Sequence, residues 1–158
     1  MPSFALQDQQ DRTVSTDDLR GKVVVLTFVD TQCREACPII AGEIARAWDF
    51  LRPEERARAV AVAISTDPRD DSKARIRAFL NRHQAQNTIR YLTGPVPVMR
   101  ALWHRFQILS SLESGAASTH SAPVRIYSAE LVWLATQHAG ADLTPRNLAH
   151  DVRVALER

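Results

Sequence analysis

At 158 residues, with 45% apolar and 24% charged side chains, the chain has the length and composition of one globular domain built round one core. A net charge of only +2, with no run of basic residues, excludes a nucleic-acid partner. No apolar stretch approaches the roughly 20 residues that a membrane-spanning helix requires.

Residues 4–6 and Thr13–Ser15 read as short edge segments around a polar turn. Val23–Val29 is a largely β-branched, apolar run, the pattern of a strand buried on both faces. A loop with both cysteines follows, then a helix to about Leu51. In it Ile40, Ile44, Ala47, Trp48 and Leu51 recur at helical spacing, and Pro53 marks its end. Ala59–Ser65 is a second buried strand. Asp70, Asp71 and Ser72 offer N-caps to a helix reaching about Arg82, with Ile76, Phe79 and Leu80 on one face. Ile89–Leu92 is a short extended segment, and Pro97 opens a third helix that aligns Val98, Leu102 and Phe106. Residues 110–119 are small, polar and glycine-containing, which predicts a loop. Val124–Tyr127 and residues 131–135 predict a hairpin turning at 128–130. Thr144 caps a last helix that starts at Pro145 and buries Leu148, Val152 and Leu156.

A βαβ start, a second helix, a late hairpin and a terminal helix predict an α/β, thioredoxin-like fold. Its central mixed sheet is flanked by helices in a single domain over residues 1–158. Trp48, Trp103 and Trp133 fall at core-like spacings. Asp67 and Asp70 are read as shaping a turn and a cap around Pro68. His83, His104, His138 and His150 are scattered over different elements and read as surface residues.

The chemistry concentrates in the segment Asp30-Thr31-Gln32-Cys33-Arg34-Glu35-Ala36-Cys37-Pro38. It lies where a buried strand ends and a helix begins, the edge of an open α/β sheet at which ligands bind. Proline is tolerated in the first helical turn, so Cys37 belongs at the helix start, where free N–H groups and the dipole favour a thiolate. Arg34 adds positive charge, and Glu35 and Asp30 oppose it. A structural disulfide over so short a loop constrains the unfolded chain little. Two soft sulfurs side by side instead select Cu(I) or zinc, or close to a redox disulfide.

With these motifs the chain resembles the Sco/SenC family, thioredoxin-fold proteins that help assemble the dinuclear copper centre of cytochrome c oxidase. Thr31, Cys33, Cys37 and Pro38 match its T-x-C-x-x-x-C-P motif. The segment from Ser65 to Asp70 resembles its S-x-D-P-x-R-D with one residue fewer, and Leu92-Thr93-Gly94 matches the L-T-G beyond. His120-Ser121 resembles its D-H-S/T ahead of a strand, with Thr119 in place of the acid. Arg34-Glu35 replaces the common Pro-Asp, and Asp30 replaces an aromatic residue.

The resemblance implies a metallochaperone that binds copper, as Cu(I) or Cu(II), through Cys33, Cys37 and His120. In a thioredoxin-like sheet the antiparallel strand after His120 starts beside the end of the first parallel strand, which puts the imidazole next to the cysteine loop. The implied partners are a copper-carrying cytochrome c oxidase subunit as client and a separate copper donor. The implied location is extracytoplasmic, periplasmic in a bacterium, with a membrane anchor that is not part of this chain. A second reading is a thiol–disulfide oxidoreductase, with Cys33 attacking and Cys37 resolving or the reverse. A peroxide-reducing thiol enzyme ranks last, because the second cysteine is too close to the first.

Overall fold

In the computed structural model, which describes residues 1–158, the chain opens with β1 (Ala5–Gln7), β2 (Thr13–Ser15) and a 3-10 turn over Asp17–Leu19. It continues through β3 (Val23–Val29), α1 (Ala36–Asp49), α2 (Pro53–Ala57), β4 (Ala59–Ser65), α3 (Lys73–Arg82) and β5 (Ile89–Leu92). It ends with α4 (Val96–Phe106), α5 (Ser111–Ser114), β6 (Val124–Tyr127), β7 (Trp133–Gln137) and α6 (Pro145–Leu156). One sheet has the order β5-β4-β3-β6-β7, while β1 and β2 pair separately. The first three strands of that order are parallel, and β6 and β7 run antiparallel. This is the expected thioredoxin-like arrangement.

Every residue of β3 and β4 is buried, and the pleat explains why all but Thr27 and Ser65 are apolar. Alternate side chains point to opposite faces. Val23, Val25 and Val29 join a core with Ile40 and Ile44 of α1, Ile76 and Leu80 of α3, and Leu148 and Val152 of α6. Val24, Leu26 and Phe28 join a second core with Leu102, Trp103 and Phe106 of α4 and with Leu6 and Val14 of the β1–β2 pair. A polar residue at any of these positions would be carried into one core or the other.

Several local expectations need correction. Pro53 does not merely follow a helix but starts one. At the first position of α2 its missing N–H is no loss, and Glu55 accepts the Arg52 N–H at 2.7 Å. Residues 110–119 include the single turn α5, capped by Ser110, whose hydroxyl accepts the Glu113 N–H. Because α4 begins at Val96, its core face carries Met99, Leu102, Trp103 and Phe106, and Val98 is left 46% exposed. The late hairpin turns more widely than expected. Leu131 takes a left-handed φ of 65°, and the Ser128 hydroxyl accepts the N–H groups of Glu130 and Val132. The last strand therefore starts at Trp133, which is exposed on the sheet edge beneath the Arg125 guanidinium rather than packed in the core.

Candidate metal centre

The site is assembled by three breaks in regular structure. After β3 the backbone turns sharply, with the Cys33 N–H donating to the Asp30 carbonyl at 3.1 Å. The turn delivers the chain into α1, where Cys37 and Pro38 occupy the second and third helical positions. His120 arrives from the far end of the sequence. Because β6 pairs antiparallel with β3, with Leu26 opposite Arg125, the residues just before Val124 lie beside the end of β3. A lash to the end of α4 holds them there: the Leu109 N–H donates to Ser121 Oγ, and the Ser121 N–H donates to the Leu109 carbonyl.

The sulfurs of Cys33 and Cys37 and a ring nitrogen of His120 all lie within 4.8 Å of one another. Cys37 Sγ is 3.2 Å from His120 Nε2, and His120 Nδ1 is 3.1 Å from the Ser121 carbonyl. A carbonyl can only accept, so Nδ1 carries a proton and the Nε2 lone pair of the neutral ring is left for the sulfurs or a metal. Thiolate–metal bonds of about 2.3 Å at trigonal angles place two sulfurs about 4 Å apart, so the three donors fit one soft ion. Cys37 is fully buried, Cys33 nearly so, and His120 half-buried.

The charges divide unequally. A hydrogen bond from the Cys37 thiol pulls the Cys33 pKa far below the usual thiol range. Burial opposes this, and His120 with the N–H groups of Cys37 and Glu35 assists it. Cys37 moves the opposite way, raised by the same bond and by burial. The helix-start argument had placed the thiolate on Cys37; the structure gives it to Cys33, because Cys37 is sealed behind it. Burial alone would disfavour a charged His120, but the Cys33 sulfur and the Ser121 carbonyl outweigh it and raise its pKa. In the reduced trio the shared hydrogen bond thus favours negative charge on Cys33 over Cys37, and the pKa of His120 is raised beside it.

Residues 1–156 match the family model described as SCO1/SenC. The chain belongs to this family. Over 85 residues it is 32% identical to a protein of Stutzerimonas stutzeri named as a putative copper-binding protein, covering 54% of this chain and 42% of that protein. The match thus spans less than half the length of that relative. Among solved structures it is similar to Bradyrhizobium japonicum ScoI with copper bound (TM-score 0.82, 20% identity, 98% of each chain). It is also similar to BsSco, described as a member of the Sco family of cytochrome c oxidase assembly proteins with a disulfide switch. That TM-score is 0.76 at 21% identity, over 98% of this chain and 91% of that one. At such identity these two likenesses establish the fold.

In this SCO1/SenC domain two carboxylates that support the cysteine loop were not legible as such. Of the three cap candidates Asp70, Asp71 and Ser72, it is Ser72 that caps α3, which leaves Asp71 for another role. The Asp71 carboxylate is buried and accepts from the Thr31 N–H (3.0 Å), Thr31 Oγ1 (2.6 Å), Ser65 Oγ (2.7 Å) and Tyr91 OH (2.5 Å). Asp30 is buried too, accepting from Ser111 Oγ at 2.6 Å and the Gln32 N–H at 2.7 Å. Burial raises the pKa of both against these donors. For Asp30 the available signal was a charged residue directly after an apolar strand; Asp71, in the loop before α3, carried none. The other histidines take no part in the site. His104 pairs with Glu113, His83 packs on Phe79, and His138 and His150 are exposed.

Proposed function

We propose that the chain binds one copper ion through the sulfurs of Cys33 and Cys37 and Nε2 of His120, and passes it to a protein client. The observation that carries this reading is the convergence of two sulfurs and one imidazole nitrogen within 4.8 Å. Cu(I) is satisfied by the two thiolates, and the imidazole adds the nitrogen donor that Cu(II) prefers. The ions enter as cargo, so binding must be reversible. A site at a loop with one ligand partly open allows incoming donors to replace the residues one at a time. The client is a copper-carrying subunit of cytochrome c oxidase, supplied through a separate copper donor, in an extracytoplasmic compartment. The copper-bound ScoI structure supports copper as the cargo and the description of BsSco supports an oxidase client; the donor and the compartment are what membership of the family implies.

A second reading has its own support. A thiolate on Cys33 backed by a thiol on Cys37 is the layout of an attacking and a resolving sulfur. The same domain would then reduce client cysteines as well as metallate them.

The test is titration of the reduced protein with Cu(I) and Cu(II) against a competing chelator. Wild type takes up one copper per chain. The Cys33→Ser/Cys37→Ser variant loses both ions. His120→Ala weakens Cu(II) far more than Cu(I) and keeps disulfide exchange. Undiminished copper binding by the double serine variant refutes the site.

A further inference from the structure

Cys33 forms part of the wall of a cleft of about 440 Å³ between the cysteine loop and α3. Three guanidinium groups share that wall, Arg34 from the loop and Arg75 and Arg82 from α3, and no aspartate or glutamate lines it. Arg75 is engaged by Asp70 at 3.3 Å, whereas neither Arg34 nor Arg82 has an ion-pair partner. His83 also lines the cleft, and burial and the nearby Arg82 lower its pKa. Exposed arginines abound in this chain. What sets these apart is a concave wall without a single carboxylate and a shared opening onto Cys33. Cys37 does not reach the cleft.

We propose that this cleft receives the sulfur partner of Cys33 and selects partners whose thiol or disulfide is flanked by carboxylates, namely an acidic segment of the protein client. The inference rests on the exchange reading of Cys33 and names the substrate class of that same site. The unpaired guanidiniums of Arg34 and Arg82 offer bidentate donors to carboxylates. They also attract an acidic segment before contact, raising the encounter rate. In the exchange itself the Cys33 thiolate attacks one sulfur of the client disulfide, whose S–S bond breaks, and the departing sulfur leaves with the electron pair. The Cys37 thiol gives its proton to that departing thiolate and then attacks Cys33 Sγ, releasing the second client sulfur as a thiolate. The client disulfide ends reduced by two electrons, and Cys33–Cys37 ends oxidised by two.

The experiment measures reaction rates of the reduced protein with three alkyl disulfides of different charge, each divided by the rate of the same disulfide with a small neutral thiol to remove its intrinsic reactivity: anionic glutathione disulfide, neutral bis(2-hydroxyethyl) disulfide and cationic cystamine. Two peptide disulfides are run beside them, one flanked by aspartates and one by lysines. The ratio of anionic to neutral rate cancels any change in the nucleophilicity of Cys33. It is expected to be about tenfold at low salt, to fall as salt is raised, and to drop below about twofold in Arg34→Gln/Arg82→Gln. The aspartate-flanked peptide is expected to be the fastest of all five. A ratio near one in the wild type, or one unchanged in the double variant, overturns the proposal. Glutathione disulfide outrunning the acidic peptide overturns the assignment to a protein client. No reaction with any disulfide overturns the proposal together with the exchange reading, while the copper titration stands or falls separately.

Discussion

Asp71 lies behind the cysteine loop, touching no proposed ligand, and its removal should be felt at the site. In Asp71→Ala four donors lose their acceptor. Two of them, the N–H and the hydroxyl of Thr31, belong to a half-buried residue that water can reach. The Tyr91 hydroxyl retains the Val29 carbonyl at 3.2 Å. The Ser65 hydroxyl, fully buried, is left without a partner. One orphaned buried hydroxyl and the lost charge-assisted bonds cost about 1–3 kcal/mol each. Relief of the desolvation that raises the Asp71 pKa returns part of this. The net loss is about 2–4 kcal/mol, or a fall in Tm of roughly 5–15 °C for a chain of this size. Urea unfolding checks it, read as a lower midpoint at unchanged slope. The pH dependence gives a second reading. A carboxyl whose folded pKa is raised binds its proton more tightly in the native state. Wild-type stability from this group therefore grows as pH falls through the folded value towards the reference 3.8. The gap between wild type and Asp71→Ala should widen between pH 7 and pH 4. A stability change under about 0.5 kcal/mol, the range of ordinary surface substitutions, would refute the anchoring role of the carboxylate.

Two other outcomes follow from the same geometry. Alkylation of Cys33 by iodoacetamide should stay fast well below pH 7, and Cys37→Ala should move its midpoint upward by removing the thiol hydrogen bond; a wild-type midpoint near the free-thiol value of about 8.5 contradicts the thiolate assignment. The Thr27 hydroxyl is buried in β3 with no hydrogen-bond partner, so Thr27→Val should stabilise by about 1 kcal/mol, raising Tm by roughly 2–4 °C; a loss of stability in thermal unfolding would show that the hydroxyl is bonded.

The strands and principal helices were legible because their signals are local. Val23–Val29 and Ala59–Ser65 are apolar at every position except Thr27 and Ser65, the pattern of strands covered on both faces. Thr144 with Pro145, and Ser72 ahead of α3, mark helix starts by chemistry confined to one turn. The cysteine motif was legible for the same reason, since Cys33, Cys37 and Pro38 are neighbours in the chain. Local signals misplaced Val98 by one position of helical phase and missed α2, where a proline that ends one helix also begins the next.

Which sulfur is charged, and what holds the loop in place, depends on residues distant in sequence. Spacing placed both cysteines at a helix start. Only the packed structure seals Cys37 beneath Cys33 and sets His120, 83 positions away, 3.2 Å from its sulfur. Asp71 and Thr31 are 40 positions apart, and Asp30 and Ser111 are 81. A carboxylate in a sequence carries no mark of whether it will face water. Its pKa and its partners are settled when the sheet brings β3, β4 and β5 side by side and excludes solvent from the space behind the loop, where an unpaired polar group is expensive. The sequence by itself therefore determined the strand–loop–helix frame and the identity of the ligand-type residues. The sheet order expected for the fold already set His120 beside the cysteine loop. The tertiary structure alone decided the distances, the charges and the arginine-lined cleft beside them, because burial and long-range pairing are properties of the folded chain.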